Sequence, residues 1–243
     1  GKLIPYDSAG SYVYQKPNND NTKKVSQNNL IAEAGKDPGN LNIMANIAGS
    51  YTTDNPDEAI RWYEKIISLA DSNKNKAYAL KEIGDVYLSN SNIQKATEYY
   101  VKAATILNDE PFYQSQLYNS IGETYESYRC NKNNNVITAD KVFESFSKAI
   151  VINPNNLEAR FNLGCYYKGE KQWDKAIEQF EYIKRNEAHN GDIAWWYLSS
   201  LSDCYIEKGD QSESTEVLYY YLGKLVTYDT ERPFVRTELL QAQ

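Results

Sequence analysis

Three observations predict an all-α solenoid of about five helical hairpins for this chain of 243 residues. Small and aromatic residues recur at helical spacing: Gly84 with Tyr87, then Ala96 with Tyr100; Gly122 with Tyr125, then Val142 with Phe146; Gly164 with Tyr167, then Ala176 with Phe180. The units return regularly, starting near Leu41, Ala77, Ser115, Leu157 and Trp195, roughly 36–42 residues apart, as in stacked helical repeats. No single hairpin buries enough apolar surface to fold alone, but a stack of three or more does.

The clearest unit is Leu157 to Ala188, with helices expected over roughly 157–169 and 173–185. A mid-helix glycine costs about 1 kcal/mol against alanine, so Gly164 implies close helix packing that repays it. Residues 1–40 read differently. Pro5, Gly10, Pro17 and an Asn/Asp/Lys cluster suit an extended arm or a linker, and Leu3, Ile4, Tyr6, Tyr12, Val13 and Tyr14 argue for some packing. The alternation in Ser11–Tyr14 suits a short strand, for which no partner is evident. A short helix is expected over 25–34, ending at Gly35 with Pro38-Gly39 beyond.

The array is expected over 41–228, as units 41–71, 77–110, 115–154, 157–190 and 195–228. In the first, Asn55-Pro56 opens the second helix. Asn is a good cap, Pro suits the first helical position, and Asp57 and Glu58 favour the positive N-terminal dipole. The third carries roughly eight extra residues between its helices, including Cys130-Asn-Lys-Asn-Asn-Asn, read as loop. In the fifth, Ser202 replaces the glycine and Ser214 the alanine, so looser packing is expected there. Residues 229–243 are expected to form a C-terminal capping helix, opened by Pro233 and running to about Leu240.

Net charge is −7, from 26 basic and 33 acidic residues, against the basic excess of a nucleic-acid binder. No apolar run approaches the ~18 residues of a membrane span. Three cysteines without CxxC spacing favour a reducing, cytoplasmic compartment. The chain starts at Gly1 without Met, which fits removal of a leader or an upstream domain. The 22 tyrosines fit a compositional bias as well as a role.

The Gly84/Tyr87, Gly122/Tyr125 and Gly164/Tyr167 pairs, followed by Ala96/Tyr100, Val142/Phe146 and Ala176/Phe180, resemble the tetratricopeptide repeat over about 41–228. The early Trp often seen in that unit is absent. The resemblance implies a right-handed superhelix whose first helices line a concave groove that holds a peptide or another protein. By that analogy the groove takes Asn42, Ala45 and Gly49, then Tyr78, Lys81 and Asp85, then Gln116, Asn119, Glu123 and Glu126. Glu158, Phe161, Cys165 and Lys168 follow, then Trp196, Ser199, Asp203 and Glu207. Six carboxylates against two lysines make this inferred surface acidic, and a basic protein or peptide would complement it. The same acids also suit a solvated face of an acidic protein. Members of the family that bind acidic chaperone tails use a Lys/Asn/Arg clamp, and the matching places here hold mostly Ala, Gly, Asp and Glu.

No catalytic constellation is found, and neither cofactor nor metal is expected. His189 is the single histidine and sits in a polar turn; no phosphate loop or dinucleotide fingerprint is present. Of Trp195-Trp196, one is expected in the junction of the fourth and fifth repeats and the other towards the groove. Self-association through Tyr219-Tyr220-Tyr221 is an alternative to their packing a cap. The expected function is therefore a non-catalytic interaction scaffold. A second reading comes from residues 14–66: Tyr14, Lys23-Lys24, Asn29-Leu30-Ile31, Pro38 and EAIRWYEKII resemble the junction in some family-2-type glycosyltransferases. There a tetratricopeptide array follows the catalytic domain, which implies acceptor binding or oligomerisation for this region.

Overall fold

The computed structural model describes residues 3–5, 12–14, 23–132, 139–186 and 196–229. Two short strands come first, β1 (Leu3–Pro5) and β2 (Tyr12–Tyr14). They pair antiparallel with Ile4 opposite Val13, so the Tyr12–Tyr14 strand has the partner that its sequence left unassigned. Helix α1 (Lys23–Lys36) follows. It is longer than the expected 25–34 segment and includes Gly35. Gln27 Nε2 on α1 donates to the Ser50 carbonyl at 3.1 Å, and Ala34 is buried.

Ten helices succeed one another: α2 (Leu41–Tyr51), α3 (Pro56–Leu69), α4 (Asn73–Ser89), α5 (Ile93–Ile106), α6 (Pro111–Lys132), α7 (Ala139–Ile152), α8 (Leu157–Gly169), α9 (Trp173–Asn186), α10 (Trp196–Lys208) and α11 (Gln211–Asp229). This is the all-α hairpin array that the spacing predicts. The Cys130-Asn131-Lys132 stretch read as loop is instead the end of α6. Part of the extra length is therefore absorbed as helix, because the chain stays without Pro or Gly from Glu123 through Lys132. The expected capping helix after Pro233 lies outside the described residues, as do His189 and Trp195.

Local chemistry sets the helix starts. Asn40, Asn55, Asn92 and Asn156 each accept a hydrogen bond from a backbone N–H three residues on, and Ser72 does the same for α4. Pro56 sits in the first turn of α3, as expected. The turns inside the hairpins also repeat. Ser91, Lys171 and Gly209 occupy equivalent places and all have positive φ, at 59°, 57° and 85°. In each, the next residue's N–H reaches back five residues: Asn92 to Tyr87, Gln172 to Tyr167 and Asp210 to Tyr205, at 2.8–2.9 Å. This left-handed closure satisfies the last helical carbonyls before the chain reverses.

The chain divides into two compact units, Gly1–Lys141 and Val142–Gln243. In the first, Met44, Ala45 and Ala48 of α2, Ala59, Tyr63 and Ile66 of α3, and Ala79, Ile83 and Val86 of α4 form one core cluster. In the second, Ala176, Phe180 and Ile183 of α9 pack with Tyr197, Leu198, Leu201 and Cys204 of α10 and Val217 of α11. Each such buried large side chain contributes about 1.5–3 kcal/mol.

Candidate partner-binding face

The face is built around Gly84. A Cβ there would lie 2.5 Å from Tyr100 Cε1, so only glycine lets α5 lay the Tyr100 ring against α4. The ring is buried, and its hydroxyl emerges at the polar edge of α4, where it donates to Asp85 Oδ1 at 2.6 Å. Lys81, one turn earlier, donates to Asp85 Oδ2 at 2.7 Å and more weakly to Glu82 Oε1 at 3.4 Å. Tyr63 from α3 completes the set by donating to Glu82 Oε2 at 3.2 Å. Two tyrosines, two carboxylates and one lysine thus form a connected cluster on three helices.

Its electrostatics follow from burial and proximity. Burial holds the Glu82 carboxyl above its ordinary range, against the pull of Lys81 and with the help of Asp85. Burial pulls Lys81 down, but Glu82 and Asp85 outweigh it and the ammonium is held more firmly than usual. Burial and the Asp85 charge push the Tyr100 phenol far above its usual range. At neutral pH the Lys81 ammonium therefore stays charged, and the Tyr100 phenol keeps the proton it donates.

The face continues onto α6. Asn119 is buried, and its amide donates to Glu123 Oε1 at 3.2 Å, while Glu123 itself is exposed. Glu126 is ion-paired with Arg129 at 2.8 Å. Among the other expected positions, Tyr78 packs half-buried against the α2–α4 core, Gln116 is half-buried, and Asn42 is exposed. Ala45 does not reach the surface: it is part of that core, because α2 turns its apolar stripe inwards here.

In the second unit Glu158, Ser199, Asp203 and Glu207 are exposed. Phe161 lies 5.8 Å from the Phe180 ring. Lys168 of α8 bridges to Asp203 of α10 at 2.7 Å. Cys165 is half-buried, and Cys204 is buried with its thiol pushed up to about 11 by burial. Burial and Glu181 raise the Tyr205 phenol to about 12, and it donates to Glu181 Oε1 at 3.3 Å. Trp196 opens α10, but its side chain is outside the described residues.

Two points differ from the sequence reading. The two lysines already counted, Lys81 and Lys168, are paired with Asp85 and Asp203, and Arg129, which the count left out, is paired with Glu126. Glu82, Tyr63 and the Tyr100 hydroxyl were missed as parts of the polar cluster. The available signal was a carboxylate, Glu82, beside core residue Ile83 and facing two aromatic helices. A buried acid of this kind needs partners.

The comparisons with known proteins agree with this architecture. The family model described as tetratricopeptide repeat matches residues 145–178, the end of α7 through α8 and into α9. That match covers one repeat, and the helical-hairpin array as a whole shares its fold with solved tetratricopeptide-repeat structures. Among solved structures, MamA is 22% identical, with 79% of this chain and 94% of that chain covered and a TM-score of 0.55. BtubC from P. vanneervenii is 14% identical, over 86% of this chain and 90% of that one, at a TM-score of 0.62. YrrB, a tetratricopeptide-repeat protein described as having an unusual peptide-binding site, is 17% identical over 88% and 97%, at 0.50. At these identities the likeness is one of fold. No curated protein matches the sequence. Among the described residues no helix is long and apolar enough to cross a membrane, and no group of three or more His, Cys, Asp or Glu is arranged to hold a metal ion.

Proposed function

We propose that the chain is a non-catalytic scaffold that binds a peptide or protein along the first helices of its hairpins, with α4 and α6 supplying the principal contacts in the first unit. One observation carries this reading. Lys81 and Asp85 on α4 and Glu123 on α6 remain accessible, while buried groups behind them, Tyr100 and Asn119, fix two of the carboxylates in place. Held side chains lose little entropy when a partner arrives, which is the advantage of preorganisation. The unusual peptide-binding site of YrrB, whose fold is similar, supports the same class of ligand.

The carboxylates of this face favour a basic partner. Glu123, exposed on α6, serves as the probe of charge. Fluorescence polarisation with basic, neutral and acidic peptide panels would test the reading on wild type and Glu123→Lys. A preference for basic peptides that falls roughly tenfold in the variant, about 1.4 kcal/mol, supports it. Absence of binding by every panel, or binding indifferent to peptide charge and to Glu123→Lys, overturns it.

A further inference from the structure

We propose that an extra first turn on α6 supplies an apolar anchor, Phe112, and that the partner of this face is an extended segment with a large apolar side chain for Phe112 and a basic one, about five positions away, for Glu123. The inference rests on the reading of α4 and α6 as the partner-binding face and adds its specificity. Helices α2 and α8 begin at the first residues of their units, Leu41 and Leu157. Helices α4 and α6 begin four residues before theirs, at Asn73 and Pro111. The added turn of α6 carries Phe112, a large apolar residue that is 48% exposed.

Contacts to both neighbouring helices hold that turn in place. Gln114 Nε2 donates to the Ala104 carbonyl of α5 at 3.0 Å. Lys74, from the added turn of α4, sets its Nζ 4.1 Å from the centre of the Tyr113 ring. The Tyr113 ring meets the Phe112 ring edge-on, with centroids 5.2 Å apart. A tethered aromatic of this kind loses little freedom when a partner covers it. Phe112, Gln116, Asn119 and Glu123 follow at spacings of four, three and four, so they share one face of α6. Gln116 is half-buried and Asn119 buried, which leaves Phe112 and Glu123 as the exposed points of this stripe. They are eleven residues apart, about 16 Å at about 1.5 Å per helical residue. An extended chain spans that distance in about five residues, at about 3.3 Å each. A helical segment would need about eleven, with the cost of nucleation added, so a short partner reaches both points most readily when extended.

The test is fluorescence polarisation on the full chain with synthetic peptides of one length. Each holds one Leu and one Arg, two, five, eight or eleven positions apart and in either order, in a Ser/Gly/Asn background. The five-position spacing should bind about tenfold more tightly than two or eight. Phe112→Ala should weaken that peptide about tenfold and leave its Leu-to-Ser version unchanged, while Phe112→Leu keeps most of the affinity. Glu123→Lys should weaken both peptides. Affinity independent of spacing, or Phe112→Ala weakening the Leu and Ser peptides alike, overturns the anchor. If the preference for Arg and its loss in Glu123→Lys persist in that case, the charge reading of the face stands without it. A best spacing of eleven overturns the extended form in favour of a helical partner. Absence of binding by every peptide overturns both the anchor and the reading on which it rests.

Discussion

The Tyr100 phenol and the Asp85 carboxylate, 2.6 Å apart, are matched as a pair. In the hairpin of α8 and α9 the equivalent positions are Phe180 and Cys165, and neither a phenol nor a carboxylate is present. Both hairpins keep the glycine that admits the ring, Gly84 and Gly164. Of these two hairpins, the one whose ring carries a hydroxyl also carries the acid that accepts from it. A buried donor needs its acceptor, and a bare ring does not.

Asp85→Ala should therefore destabilise the chain by about 1–3 kcal/mol, because it strands the Tyr100 hydroxyl and removes one partner of Lys81. Tyr100→Phe should cost less, and the double variant should cost less than the two single changes combined. Urea unfolding of the four proteins checks this. Strict additivity would mean that the pair is not coupled.

Helix propensity alone predicts that Gly→Ala stabilises a helix by about 1 kcal/mol. At Gly164 the sign should reverse, because a Cβ there falls 2.5 Å from Phe180 Cε1. A loss of about 1–3 kcal/mol is expected from overpacking, with partial rescue when Phe180→Leu is added. Gly35 in α1 has nothing within 4 Å of the Cβ that alanine would add, and it serves as the control. Gly35→Ala should stabilise α1 by a few tenths to about 1 kcal/mol. Thermal melts of both variants measure the contrast.

The three left-handed turns rank themselves by residue type. Lys171 and Ser91 hold positive φ with a side chain, and Gly209 holds it without one. Lys171→Gly should stabilise, or at worst be neutral, with relief of about 1 kcal/mol set against added unfolded-state freedom. Gly209→Ala should destabilise by about 1 kcal/mol, since φ of 85° strains any Cβ. Equilibrium denaturation distinguishes them, and a stabilising Gly209→Ala would contradict the turn geometry.

Glu82 gives the chain a pH dependence of definite sign. Its folded value lies above the ordinary 4.5 because burial disfavours the charge. The folded state then holds this proton more tightly than the unfolded chain does. Its contribution is a penalty, absent below 4.5, that sets in as pH rises through the window up to the raised folded value and is complete above it. Glu82→Gln keeps an acceptor for Tyr63 and removes the titration. The stability of the variant relative to wild type should rise with pH across that window. A difference that is flat with pH would show that Glu82 does not titrate differently on folding.

Much of the architecture was legible in the residues by themselves. The Gly/Tyr and Ala/aromatic steps define two faces of each helix, and Asn55-Pro56 marks where α3 begins. Such features are local: spacing along a helix decides which side chains share a face, whatever lies opposite. The length of α6 was misjudged, since an Asn-rich stretch reads as loop until a helix is already propagating into it.

The candidate face was only half legible, for a different reason. That Lys81, Asp85 and Glu123 share it follows from helical register. That Ala45 is turned into the core, that Lys81 spends its charge on Asp85 and Glu82, and that Tyr63 and Tyr100 reach those acids depends on how three helices cross. Hydrogen bonds and ion pairs of this kind act over about 3 Å between residues far apart in sequence. The amino-acid order determined which helices form and which faces they carry; only their packing decided which charges are already spoken for.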